Sequence, residues 1–403
     1  MGSLGTAPSA EATASSGALP AGMPAGGPVQ LLVVQPTPYC NLDCDYCYLP
    51  DRDNRARLPL EILDLALERV LESPFFGGPF TLLWHAGEPL TAGIPFYDAA
   101  SERIRAALAR HNLPADTVMQ SVQTNATLID EAWCDCFERN GFHVGVSMDG
   151  PAFLHDAHRR TRTGLGSHQA VMRGMDWLQR RGIAFDVICV LTADALDHAD
   201  ALFDFFVASG VGAVGFNMEE TEGENAHSSL DERPDSAGRY RAFLQRFWQR
   251  LLEQPRALRL REFDGITSLV CSEERMHSTD MNAPFVIVNV DAAGNVSTFD
   301  PELLSVKTER FGDFAFGNVR QNTLVSLLQN EKFQRVQAEI QAGVDNCRSS
   351  CAYFGLCGGG CGSNKYWEHG RFDTTITQAC RYRTQLVADV VLEGMEKALG
   401  LAA

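Results

Sequence analysis

From residue 29 the chain alternates short apolar runs with stretches whose apolar residues recur every three or four positions. The first pattern is that of buried strands, the second that of amphipathic helices. Leu31 to Val34 predicts a strand, and Leu60, Leu63, Leu67 and Val70 mark one face of a helix. Further strands are predicted at Phe80–Trp84, Thr117–Val122, Val144–Met148, Phe185–Leu191 and Ala213–Asn217. Helices are predicted between or after them at about Pro95–Ala109, Ile129–Arg139, 168–181, 198–208 and 237–253.

Six strand–helix units predict an α/β protein whose parallel sheet closes partly into a (β/α)6 TIM-like barrel. Active groups of such barrels sit on the loops at the carboxyl ends of the strands, and every motif singled out below in the first 220 residues falls on that edge. Beyond it, Phe285–Val290 and Val296–Phe299 flank Asp-Ala-Ala-Gly as a β-hairpin, and a helix is predicted over Leu324–Gln341. The expected organisation is a disordered segment at 1–28, a barrel at 29–254, a bridging region at 255–346 and a cysteine-rich domain with a C-terminal helix at 347–403.

The 403 residues are 45% hydrophobic, ample for a large core, and carry a net charge of −17. That charge argues against nucleic acid and anionic membrane as partners; Arg159, Arg160 and Arg162 are the nearest approach to a basic patch. No apolar run reaches membrane-spanning length. Most of the 12 cysteines fall into two tight clusters, a pattern of metal binding rather than disulfides. The first basic residue is Arg52, so no basic region of a secretory signal precedes it, and a reducing cytoplasm is expected. Cys134, Cys136 and Cys189 sit in apolar contexts and read as packing residues.

Cys40, Cys44 and Cys47 form a Cys-x3-Cys-x2-Cys run. Structural zinc and iron–sulfur centres normally take four protein ligands. Three thiolates on a four-iron cluster leave one iron open to an exchangeable ligand; a zinc knuckle with a distant fourth ligand is the other reading. With this motif after its first strand, the chain resembles the radical S-adenosylmethionine (SAM) enzymes. The resemblance implies a [4Fe–4S] cluster that chelates SAM. It also implies that Tyr46 and Tyr48 lie at the cofactor, Tyr46 against the adenine. Ala86-Gly87-Glu88-Pro89 is similar to the family's Gly-Gly-Glu-Pro loop, which receives the SAM ammonium. Gln123 and Asn125 after the third strand, Ser147 and Asp149 after the fourth, Asn217 after the sixth, and Arg159 are implied cofactor or substrate contacts. Turn chemistry and solvation are the ordinary explanations of the same residues.

The second cluster, Cys347-x3-Cys351-x5-Cys357-x3-Cys361 with Cys380 eighteen residues on, resembles the SPASM extension of radical SAM peptide maturases. That likeness implies at least one auxiliary [4Fe–4S] cluster, on Cys347, Cys351, Cys357 and Cys380, and makes Cys361 the last ligand of another. Phe299 stands where the latter's upstream cysteine is expected, and Cys271 is too far upstream to fit the usual spacing, so that cluster is either absent or ligated unusually by Cys361, Cys271 and a carboxylate. Asp300, which follows, matches a carboxylate that acts as base in sulfatase-maturating relatives; Asp300 and Glu302 are the candidate bases.

The segments Gln-Pro-Thr-Pro-Tyr-Cys and Phe-Asn-Met-Glu-Glu are most similar to the glycine-rich-repeat modification enzymes, which form three-residue cyclophanes. This implies a ribosomally made precursor peptide as substrate and ferredoxin or flavodoxin as electron donor. The implied reaction takes hydrogen from a Cβ, joins that carbon to an aromatic ring, and passes on the surplus electron and proton. A formylglycine-generating sulfatase maturase, a thioether-forming maturase and a non-enzymatic iron–sulfur carrier are the alternatives.

Overall fold

The computed structural model describes residues 26–272 and 274–401. The segment expected to be disordered lies outside the described residues except for 26–28, where the Gly27 N–H donates to the Pro284 carbonyl at 2.8 Å.

Six parallel strands run in chain order across one sheet: β1 (Leu31–Val34), β2 (Phe80–Trp84), β3 (Val118–Thr124), β4 (His143–Ser147), β5 (Phe185–Leu191) and β6 (Ala213–Met218). Each is followed by a helical crossover: α1 (Leu60–Leu71), α2 (Ile94–Arg110), α3 (Glu131–Asn140), α4 and α5 (Ala152–His158, His168–Arg180), α6 (Ala199–Ala208) and α7 (Ser236–Glu253). Sequential parallel pairing through helices is what buries a sheet on both faces. The fold is thus the expected α/β partial barrel, with a cysteine-rich region following it.

The sheet is wider than six strands. β7 (Arg259–Leu260) pairs parallel to β6 and leads directly into α8 (Arg261–Cys271). At the other edge β8 (Ile287–Val290) pairs parallel to β1, with Leu31 opposite Ile287, and turns back into antiparallel β9 (Asn295–Thr298). The predicted hairpin therefore extends the barrel sheet. Its own strands are buried along almost their whole length, as a central position requires.

The helix predicted over Leu324–Gln341 is two helices, α9 (Leu324–Leu327) and α10 (Glu331–Ser350). The Asn330 side chain accepts from the Phe333 N–H and starts α10 afresh, a side-chain N-cap that ends one helix and begins another. α10 runs on to Ser350 and so carries Cys347 in its last turn. Cys134, Cys136 and Cys189 are buried in the main core, as expected of packing cysteines. No described helix is long and apolar enough to cross a membrane.

Candidate functional site

The loops at the carboxyl ends of the strands enclose a cavity of ≈ 300 Å³. Cys40, Cys44 and Cys47 line it, with Tyr46, Tyr48, Gly87, Glu88, Gln123, Asn125, Ser147, Arg159, Asn217 and Glu302. Ten non-cysteine positions named from sequence thus converge on one space with all three cysteines.

The cysteine loop is held from several sides. Arg162 Nε donates to the Cys40 carbonyl at 2.8 Å, and the Leu42 N–H points at Cys40 Sγ at 3.4 Å. Burial pushes the Cys40 thiol up to about 12 and the Cys44 thiol up to about 11. These thiols are neutral unless a metal displaces their protons, which is how thiolate sites couple metal binding to pH.

The loop after β2 packs against the cysteine loop so closely that only glycine fits at position 87. Gly87 has φ +120°, and a Cβ there would stand 2.3 Å from the Thr37 carbonyl oxygen. The next residue donates its N–H to the Tyr39 carbonyl at 2.8 Å. Gly87→Ala is expected to cost about 1–3 kcal/mol through this strain. It should also lower iron retention after reconstitution; thermal unfolding and iron analysis check both.

The Glu88 carboxylate is turned inward. It accepts from Leu90 N (3.0 Å), Thr124 Oγ1 (2.7 Å) and Asn125 N (2.8 Å), so it ties the β2 and β3 loops together. Burial nonetheless pushes it up to about 7. Asn125 Nδ2 then reaches Asn41 Oδ1 at 2.8 Å in the cysteine loop. Gln123 Nε2 donates to Ser147 Oγ at 3.0 Å, and Asn217 Oδ1 accepts from Arg261 Nη2 at 2.9 Å.

Asp149 and Ala86 lie behind the cavity wall, in contrast to the expected cofactor contacts. Ala86 packs in a small cluster with Leu49 and Leu304. Asp149 is buried and accepts from Arg159 Nε (2.8 Å), Arg159 Nη2 (3.2 Å), Val190 N (2.9 Å) and the Tyr46 hydroxyl. Burial alone would raise its carboxyl, but the Arg159 guanidinium holds it below the usual carboxylate range. The arrangement presents Arg159 and Tyr46 to the cavity in fixed positions, with the guanidinium 5.4 Å from the ring centroid.

Asp300 does not line the cavity. Its carboxylate takes the Cys361 thiol and, at 2.7 Å, the Ser363 hydroxyl. Glu302 does face the cavity, and its carboxylate lies within 4.8 Å of those of Glu220 and Glu222.

Three contributors escaped sequence analysis: His85, Glu222 and Arg383 all line the cavity. His85 directly precedes Ala86-Gly87, and Arg383 follows Cys380 by three residues, so both were within reach of a motif-based search. Glu222 sits in a Glu-Glu-Thr-Glu run that has the composition of a solvated loop.

Cys347, Cys351, Cys357, Cys361 and Cys380 line a second cavity of ≈ 260 Å³. Gly358, Gly359 and Gly360 all have positive φ, and a Cβ at Gly358 would lie 2.6 Å from the Ser278 carbonyl oxygen. The glycine run lets the cysteine loop fold tightly against its neighbours. Arg383 lines this cavity as well as the first. Cys271 is exposed at the end of α8 and lines neither cavity.

Comparison with known proteins agrees with this geometry. Synechocystis sp. protein sll1766 is 52% identical over 376 residues, 93% of this chain and 94% of its own length. A cysteine-type anaerobic sulfatase-maturating enzyme of Clostridium perfringens is 27% identical over 349 residues, 83% of this chain and 89% of its own. The solved structure of native anSMEcpe with bound AdoMet and the Cp18Cys peptide superposes with a TM-score of 0.73 at 23% identity, covering 93% of this chain and 99% of that one. Residues 34–206 match the radical SAM superfamily. With the three cysteines following β1 and the parallel strands around them, residues 34–206 form a domain of that superfamily, whose enzymes work with a [4Fe–4S] cluster and S-adenosylmethionine.

Proposed function

We propose that this enzyme modifies a ribosomally made precursor peptide, joining an aromatic ring carbon to a Cβ two positions away. One observation carries the assignment of chemistry: three cysteines line a single cavity without a fourth, beside a buried arginine and a loop that only glycine can complete. The donor set fits a [4Fe–4S] cluster with one open iron. Cys40, Cys44 and Cys47 would hold it, and Tyr46, Tyr48, Gly87, Gln123, Asn125, Ser147, Arg159 and Asn217 would line the space for SAM and peptide. Cluster and SAM together supply a 5′-deoxyadenosyl radical, the reagent able to take hydrogen from an unactivated carbon.

The protein's own contribution is placement and exclusion of water, which decide which hydrogen is lost. Asp149 fixes Arg159 and Tyr46. Glu88 ties two loops to the cysteine loop through Asn125. Cys347, Cys351, Cys357 and Cys380 fit an auxiliary cluster: four thiols line one cavity, and Lys365 Nζ lies 3.4 Å from Cys347 Sγ. Ferredoxin or flavodoxin is the class of donor that suits such a chain, and the barrel at 29–254 with the cysteine domain at 347–403 is the division of labour.

Of the two candidate bases Glu302 is the better placed, since it faces the cavity while Asp300 is held by Cys361 and Ser363. Burial and then the neighbouring Asp300 push the Glu302 carboxyl up to about 8. A base must lose its proton to act, so product formation should rise as pH passes through about 8. The sign for stability is opposite. A carboxyl raised on folding holds a proton that the unfolded chain releases, so this stabilisation falls as pH climbs from the unfolded value of 4.5 towards 8. Glu302→Gln is expected to cut product formation about 10²-fold while leaving 5′-deoxyadenosine release within about twofold, as read by liquid chromatography of both species. Equal loss of both would remove Glu302 from the role.

A formylglycine-forming reaction is the second reading, favoured by the likeness to the Clostridium perfringens sulfatase-maturating enzyme. Anaerobic incubation with SAM, reductant and the short peptides encoded beside this gene separates the two. A ring-to-Cβ link gives a product lighter by two hydrogens that resists fragmentation across three residues. A formylglycine product gives an aldehyde that reacts with hydrazides.

A further inference from the structure

We infer that this chain carries one auxiliary iron–sulfur cluster, not two, and that Cys361 is a buried thiol locked into a carboxylate–hydroxyl network. The inference rests on the assignment of Cys40, Cys44 and Cys47, and of Cys347, Cys351, Cys357 and Cys380, as the two cluster sites.

A [4Fe–4S] cluster is ordinarily held by cysteine thiolates, and the thiols that share a cavity with Cys361 are the four already assigned to the auxiliary site, which leaves none for a further cluster. At the position where an upstream ligand is expected, Phe299 is fully buried. It stacks on Phe333 with centroids 6.1 Å apart and meets Phe316 edge-on at 6.4 Å. Its φ of +78° is a strained conformation for a bulky residue, held here by packing on both sides. Cys271 ends α8 as an exposed side chain and lines neither cavity.

Cys361 has other partners. Its thiol bonds Asp300, and Ser363 Oγ stands 3.0 Å from the sulfur and 2.7 Å from Asp300 Oδ2. Asp300 is itself fixed: Oδ1 accepts from the Glu302 N–H at 3.0 Å, and its carbonyl accepts from Asn289 Nδ2 at 3.2 Å. The network is closed around the sulfur.

The surrounding charge is also wrong for a cluster. Glu220, Glu222 and Glu302 bring carboxylate oxygens within 4.8 Å of one another, with Asp300 next to them. The facing cation is Arg383, whose Nε lies 2.9 Å from Glu220 Oε1, while Asn364 Nδ2 donates to Glu220 Oε2 at 2.7 Å. A thiolate-ligated cluster would set negative charge against this buried, acid-rich wall and oppose ionisation of its carboxyls, with Arg383 as a facing cation. Arg383 lines both cavities and so ties this acid-rich wall to the cysteine-lined one.

Iron and acid-labile sulfide analysis with Mössbauer spectroscopy, on the full chain reconstituted anaerobically, tests this. The wild type is expected to hold about eight irons per chain, at about four per cluster. Cys361→Ser and Cys271→Ser should each keep that content. About twelve irons in the wild type, or loss of about four on Cys361→Ser, would overturn the inference; the wild-type count decides alone if the variant does not fold. The combined change of Cys40, Cys44 and Cys47 to Ala should remove about four irons. If it removes none, the failure lies in the underlying assignment of the N-terminal site, and the inference falls with it.

Discussion

Cys44→Ala is expected to reduce SAM cleavage to the level of a cluster-free control, whereas Cys357→Ala should still release 5′-deoxyadenosine but form no crosslinked peptide. Cys44 is buried in the cysteine loop beside Arg159 and lines the barrel cavity with the SAM-facing residues. Removing it leaves two thiols, too few to hold a four-iron cluster. Cys357 lies in the other cavity, which shares Arg383 with the first. Its loss removes the site expected to receive the surplus electron and leaves the first centre intact. The readouts are 5′-deoxyadenosine by chromatography and peptide by mass spectrometry. Equal loss of both activities from both variants, with folding unchanged by circular dichroism, would contradict the separation of roles.

The second large effect is on stability. Asp149→Ala is expected to destabilise the protein by about 3–5 kcal/mol, because it strands a buried guanidinium. Arg159 is buried and gives two of its nitrogens to Asp149, while the Tyr46 hydroxyl and the Val190 N–H converge on the same carboxylate. The charge of Arg159 cannot be shed, since guanidinium stays protonated at any workable pH. Asp149→Asn keeps acceptor geometry but loses the charge, and should fall between the variant and wild type. Denaturant unfolding of the iron-free chain measures both. A loss below about 0.5 kcal/mol for Asp149→Ala, the range of ordinary surface changes, would mean that the ion pair contributes nothing beyond what solvent supplies.

The strands and helices of the barrel were legible because each has a pure period. Phe80–Trp84 and Phe185–Leu191 form over the very residues expected from their apolar runs. The edges were not legible. Arg259–Leu260 is two residues long and polar at one of them, and it becomes a strand through pairing with β6, a tertiary effect. The break at Asn330 depends on a side-chain cap that competes with an otherwise continuous helical pattern.

At the site, the cysteines and their neighbours could be found because cluster chemistry fixes both residue type and spacing. Direction could not. Asp149 and Glu88 were expected to face a ligand; Asp149 instead lies behind the wall holding Arg159, and Glu88 lines the cavity with its carboxylate tied to Thr124 and Asn125. Whether a carboxylate at a strand end points in or out depends on partners contributed by other strands, here Val190 and Thr124, which lie 41 and 36 positions away. Glu222 and Arg383 enter the cavity by the same route, from segments distant in the chain.

Electron paramagnetic resonance of the reduced, reconstituted protein with and without SAM tests the central claim most directly. The three-cysteine centre is predicted to change its spectrum on adding SAM, in proportion to the sulfonium bound, and the change should vanish in Cys44→Ala. A reduced N-terminal centre whose spectrum is identical with and without saturating SAM would contradict the account.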